Sequence, residues 1–323
     1  MLEPLLVIFF GSLIFLAGWI ILTGSLQQFL LLTRPPAAAW HIYLWSLLNS
    51  LPPLIIPAAV LFKLPGQLGA RLAGGIAGGS MLALLTLLPG ILALLFILQR
   101  RVLLHAPLWS RKSVFSSHDS LMLGIPPLLL LLASGWLPFL HGLGAGFLVW
   151  GFLLFLKHGC LGTPPLLPYP RFGSRSWPAA ALQSGLACFL LASGSGFIAD
   201  GCMMGATGGS GQLLFLSMFL VPLLSQLYPG CRMASYVMNG QDDSAGIYLF
   251  GHLISSFTIL PALITLLGDW MLCWPSRIAL AVCSAVLILL VLQARAPTGL
   301  TPSLFIRIGL VYPIFFFLLL LLA

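Results

Sequence analysis

Apolar runs of about 20 residues recur along the whole chain, separated by short stretches where Gly, Pro, Arg, Lys or Asp collect. A run of that length crosses the roughly 30 Å hydrocarbon core of a bilayer as an α-helix. Ten such runs are read, over residues 4–23, 39–62, 70–98, 119–136, 138–156, 178–199, 212–235, 244–267, 276–293 and 303–322. The fourth is divided from the fifth by Ser134-Gly135-Trp136-Leu137-Pro138, the one turn signal between them. The short alternating pattern of an outer-membrane barrel is absent.

Two of the runs are interrupted. Asn49-Ser50-Leu51-Pro52-Pro53-Leu54 falls in the second and Leu227-Tyr228-Pro229-Gly230 in the seventh. Proline lacks the N–H that bonds four residues back and crowds that carbonyl, so helix breaks are predicted at Pro52, Pro53, Pro229 and Gly230. Interrupted spans at corresponding places in two halves point to a transporter of inverted repeats with a midplane site. Residues 157–177 form the longest polar, Pro- and Gly-rich connection and read as a cytoplasmic linker. They divide a first five-helix repeat, 1–156, from a second, 178–323. Five is odd, so the second half enters the membrane the other way up. The fold class read from the chain is therefore all-α integral membrane, with about ten transmembrane helices in two inverted five-helix repeats.

Composition agrees: 60% of residues are hydrophobic, 6% are charged and the mean hydropathy is +1.10, which excludes a water-soluble globule. Lys and Arg outnumber Asp and Glu 14 to 6. Arg34, Arg100, Arg101, Arg111, Lys112, Lys157, Arg171, Arg175, Arg232 and Arg295 fall on one side of the ten spans, and Lys63, Arg71 and Arg277 on the other. The positive-inside rule makes the first side cytoplasmic and puts both termini outside. The expected location is a bacterial cytoplasmic (inner) membrane, because the halves are compact with no large insertion between them. The basic residues are spread over short loops, which gives no nucleic-acid surface. Met1-Leu2-Glu3-Pro4 lacks a basic n-region, so the first helix reads as a retained span. Cys160, Cys188, Cys202, Cys231, Cys273 and Cys283 form no C-x-x-C pair and read as small apolar residues. No phosphate loop, H-E-x-x-H or nucleophile signature is present, so neither an enzyme nor a cofactor is expected.

The candidate chemistry lies beside the interruptions. Asn49, Ser50, Ser225 and Gln226 precede them, and Gly75, Ser80, His252, Ser255 and Ser256 lie on the following spans. His252 is about two turns into a span, and an intramembrane ionisable group is a functional candidate. Its imidazole changes charge near neutral pH; the competing reading is a neutral ring hydrogen-bonded to a neighbouring helix. The six acids, Glu3, Asp119, Asp200, Asp242, Asp243 and Asp269, all fall at or near span ends. Asp242 and Asp243 are expected to cap the eighth span. Gly74, Gly75, Gly78 and Gly79 have the small-x-x-x-small spacing that lets helices approach closely.

This order of features resembles the cation/calcium exchanger superfamily, which includes sodium/calcium exchangers. The family's first repeat has a Gly-rich helix, a G-T-S-L-P-E-L break and a G-D-x-A-x-G-N-x-x-G-S-N segment. Here one finds Gly11 and Gly18, then Asn49-Ser50-Leu51-Pro52-Pro53-Leu54, then Gly66-Gln67-Leu68 and Ala73 to Ser80. The second half matches more weakly, through Gly208-Gly209-Ser210, Pro229 and Gly240-Gln241-Asp242-Asp243. The resemblance implies cation antiport by alternating access, with the lipid bilayer and a small inorganic cation (sodium, calcium or proton) as partners. It also implies a Glu after each break, but those positions are Pro53 and Gly230 or a neighbour here, and the family's first-repeat Asn positions are Gly75 and Ser80, with the second-repeat equivalents near Tyr248 and His252. Without carboxylates the metal is unspecified, because a divalent cation needs anionic oxygens to offset its desolvation. The alternative expectation is a transport-incompetent scaffold or partner-binding membrane subunit, which helices packed dry and closed would favour.

Overall fold

The computed structural model describes residues 2–33, 53–64, 66–100, 141–158, 176–206, 209–267, 274–296 and 299–322. All the regular structure among them is helical. In chain order the elements are α1 (Leu2–Thr33), α2 (Pro53–Lys63), α3 (Gln67–Leu82), α4 (Leu88–Arg100), α5 (His141–His158), α6 (Trp177–Ala206) and α7 (Ser210–Leu214). There follow α8 (Val221–Met238), α9 (Asp242–Leu267), α10 (Trp274–Arg295), α11 (Pro302–Gly309) and α12 (Val311–Leu322). Two π-helical segments, Ala83–Leu87 and Phe215–Leu220, join α3 to α4 and α7 to α8.

Among the described residues five helices are long and apolar enough to cross a membrane: Leu2–Phe29, Gln67–Gln99, Trp177–Ala206, Trp274–Ala294 and Pro302–Leu321. A sixth is the pair Gly211–Leu227 and Pro229–Met238, bent by 44°. These confirm a membrane protein and fall on predicted runs. The predicted fourth span, residues 159–175 of the linker, and Asn49, Ser50 and Pro52 lie outside the described residues, while Lys157 and His158 end α5 and Trp177 opens α6. Of the expected break, Pro53 is described and lies at the start of the described part of α2.

The element starts and stops follow from glycine. Gly66 and Gly209, with φ of +102° and +108°, precede α3 and α7, in backbone that an L side chain rarely adopts. At the end of α8, Gly240 (φ +76°) donates to the Val237 carbonyl and Gln241 to that of Tyr236, a Schellman stop. Helix α9 then begins at Asp242 itself, so this carboxylate sits inside the first turn, where the helix dipole favours it, and not at the flanking cap position expected.

Packing depends on close approach of small residues, because lipid supplies no hydrophobic drive between helices. Helices α1 and α6 lie antiparallel along their whole length, with Gly11 against Gly194 and Phe197, Gly18 against Ala187 and Leu190, and Gly201 against Pro4 and Ile8. Ser184 at the far end donates to Ser25. Helix α4 meets α11 at Gly90 and Gly309. Helix α3 is central: from Leu72 to Leu82 every residue is buried. It and α8 contribute to both apolar clusters, one with α1, α2 and α6 and the other with α4, α5 and α9 to α12.

A Cβ at Gly194 would stand 2.5 Å from the backbone nitrogen of Phe15, whereas one at Gly142 would meet nothing within 4 Å. Gly194→Ala is therefore expected to destabilise the detergent-solubilised protein by about 1–3 kcal/mol, the usual cost of overpacking. Gly142→Ala should leave the melting temperature unchanged or slightly raised; equal effects of the two would contradict the close α1–α6 packing.

Candidate functional site

Proline chemistry shapes the region around α8. Pro222 cannot supply the N–H that would normally bond the Met218 carbonyl four residues earlier. Tyr312 supplies a donor instead, its hydroxyl bonding the Met218 and Phe219 carbonyls at 3.1 and 3.3 Å, at the end of the π-helical segment. In the same way Pro229 leaves the Ser225 carbonyl without its i+4 donor. Where the break at Pro229 and Gly230 is expected, the span Gly211–Met238 is bent into two arms that differ by 44°, with the backbone still helical through Pro229. The neighbouring helices hold the helix together, and the Gly230 Cα faces Leu88.

Five of the expected site residues converge there. Ser80 on α3 and Ser225 on α8 share a hydrogen bond of 3.1 Å between hydroxyls. The Gln226 amide nitrogen reaches the Ser80 carbonyl at 3.5 Å, and its oxygen lies 3.1 Å from Nε2 of His252 on α9. With the amide so oriented, the imidazole carries its proton on Nε2 and donates it to Gln226. Nδ1 is then the acceptor facing the Ser256 hydroxyl, 3.5 Å away and too far for a strong bond. Three helices thus meet through one neutral hydrogen-bonded file, with Ser80 1%, Gln226 2% and His252 0% exposed.

The remaining expected residues do other things. Ser255 bonds the His252 carbonyl one turn back and serves its own helix. Gly75 supplies clearance, since a Cβ there would stand 2.8 Å from the Ser217 hydroxyl oxygen. Gly79 does the same against Pro222 and Met218, which lets Ser80 approach Ser225. Asn49, Ser50 and Pro52 lie outside the described residues.

Three features escape sequence reasoning. Arg232, read as a cytoplasmic charge, is 5% exposed, with its guanidinium carbon 5.3 Å from the centre of the Tyr248 ring. That ring lies 6.5 Å from His252, so the file continues toward the end of α8. Lys63 on α2 holds Asp200 on α6. The two π-helical segments have no residue signature beyond the prolines that follow them, Pro89 and Pro222. Among the described residues no Asp or Glu is buried, and no cluster of His, Cys, Asp and Glu could hold a metal. A cavity of about 20 Å³, room for a water molecule, lies beside the file between Ser12, Trp19, Ile56, Ile198 and Ser225.

Gln226→Ala would leave His252 Nε2 without its buried partner, while the Ser80 carbonyl keeps the Ala83 N–H, and the expected loss is about 1–3 kcal/mol. Ser256→Ala removes only the long 3.5 Å contact and should lower stability much less. Thermal melting in detergent separates the two; similar losses would contradict the assigned file.

No protein-family model matches the chain, and no curated protein is significantly similar to it. Solved structures are similar in fold. The H+/Ca2+ exchanger CAX superposes with a TM-score of 0.62 at 14% identity, covering 98% of this chain and 87% of that one. The sodium-calcium exchanger NCX_Mj, soaked with Na+ and Sr2+, gives a TM-score of 0.54 at 15% identity, covering 98% and 95%. At such identities the likeness is one of fold, and the chain has the fold of these H+/Ca2+ and Na+/Ca2+ exchangers.

Proposed function

We propose that the chain is a secondary-active cation antiporter of the exchanger type, acting by alternating access, that exchanges a monovalent cation for a proton at the Ser80–Ser225–Gln226–His252 file. The observation that carries this reading is the convergence of α3, α8 and α9 on one buried titratable group through neutral oxygens only. The oxygen donors on hand are the hydroxyls of Ser80, Ser225 and Ser256, the Gln226 amide oxygen and the Ser225 carbonyl, to which Pro229 offers no i+4 N–H. Dipoles of this kind suit a monovalent cation, and they cannot offset the desolvation of a calcium ion without carboxylates.

Charge makes the file an exchanger. A protonated His252 donates from both nitrogens, so the acceptors it occupies, Gln226 and Ser256, are the oxygens a metal cation would use. Two positive charges within a few ångströms in low dielectric repel strongly, so the proton and the metal cation exclude each other. The inverted arrangement of two five-helix repeats, with termini outside and residues 157–177 cytoplasmic, fits rocking of the halves about this site.

One observation favours the second reading, a transport-incompetent scaffold or partner-binding subunit: Ser80, Ser225, Gln226 and His252 are all buried. An occluded transporter has the same appearance, and flux separates the two.

Radiolabelled sodium, potassium and calcium uptake into proteoliposomes under an outward proton gradient is the test. The antiport reading predicts sodium or potassium uptake without calcium uptake, reduced at least about tenfold by His252→Ala. Calcium uptake would contradict the neutral site. No flux of any of the three ions in folded, inserted protein, together with reproducible copurification of another protein, would establish the scaffold.

A further inference from the structure

Behind the buried file lies a seam between the α1–α6 pair and the rest of the molecule. The Lys63 ammonium sits at its end, 2.7 and 2.6 Å from the two Asp200 carboxylate oxygens and 3.1 Å from the Gly196 carbonyl. Gly196 and Asp200 are four residues apart on α6 and present one face to α2. The ammonium therefore fills a cradle of three oxygens that belong to one helix while its own stem belongs to another.

The seam leads inward from this bridge. Val60 and Ile56, one and two turns back along α2 from Lys63 and Leu64, are buried and close it with apolar side chains. Beyond them Ile56 and Ile198 line the cavity of about 20 Å³, whose opposite wall is Ser225, and Ser225 bonds Ser80. The cavity draws its other walls from Ser12, Phe15 and Trp19 of α1. The Lys63 bridge is an ion pair that ties this glycine-packed pair of helices to the remainder.

We propose that Lys63 and Asp200 form the gate of an access path that runs along the α2–α6 seam, through the Ser12–Ser225 cavity, to the His252 file. The inference builds on the antiport reading of that file. Lys63 is a tethered cation: it occupies the carboxylate at the mouth while the path is shut, and a cation arriving from that face competes for the same oxygens. The side chains of the pair are 41% and 37% exposed, so solvent screens the bridge and it can be exchanged without a large barrier. Val60 and Ile56 form the apolar plug beneath the charged lid.

The test is accessibility, which requires no flux. Ser12→Cys places a thiol in the cavity wall, in a residue whose hydroxyl bonds only the Ile8 carbonyl of its own helix. Its modification by a membrane-impermeant maleimide, applied from the face of Lys63, is followed by peptide mass spectrometry of the full chain in proteoliposomes. Lys63→Gln and Asp200→Asn should each raise the rate about fivefold, the population shift that a partly exposed ion pair supports. Lys63→Arg and the reversed pair Lys63→Asp with Asp200→Lys should keep the native rate. Native rates in either neutral variant, with melting temperature and gel-filtration profile unchanged, would overturn the gate, as would an equal rise in Lys63→Arg. Loss of gating with sodium flux intact would sink this inference alone, whereas gated labelling without flux would sink the antiport reading and leave the gate standing.

Discussion

The site depends on how closely α3 approaches the π-helical segment and α8. Gly75 and Gly79 face Ser217, Met218 and Pro222 at distances that no Cβ accommodates without a shift. Without that clearance Ser80 would not reach Ser225, and the Gln226 amide would lose the Ser80 carbonyl that orients it toward His252. Small-residue packing is usually an account of stability in membranes. Here the same contacts determine which polar groups can meet in a region where each unmet group is costly.

Proline contributes the complementary half. Pro222 and Pro229 sit on one helix, and each uncouples a carbonyl that the helix would otherwise consume. Tyr312 satisfies the first. The second belongs to Ser225, at the centre of the file, so backbone and side-chain oxygens gather without a carboxylate. Among the described residues the buried groups include one charged side chain, Arg232. An interior of this kind disfavours a divalent ion and leaves a histidine as the group whose charge can change.

Much of the architecture is legible in the sequence because its signal is length. A run of 20 apolar residues has few alternatives to a spanning helix, and most of the described helices fall on predicted runs. His252 is legible for a similar reason, being an ionisable residue within an apolar stretch. What the prolines do is less legible. Pro229 marks where the span bends by 44°, but the residue does not tell that the backbone stays helical through the bend. The π-helical segments require a register change that no side chain encodes, although Pro89 and Pro222 mark both. The Lys63–Asp200 bridge joins residues 137 apart, and pairing of that kind comes only from the fold. Ser255 shows the limit of composition: a polar residue next to the site bonds its own helix instead.

The central claim is that a metal cation and a proton share the Gln226–His252 end of the file. Nitrogen-15 NMR of histidine-labelled protein in lipid bilayers tests it most directly, at constant pH and ionic strength, with sodium and then potassium replacing N-methylglucamine. The His252 signals, assigned by their loss in His252→Gln, should shift with at least one of the two cations. Signals that stay fixed across both series, in protein shown to be folded, would contradict the claim.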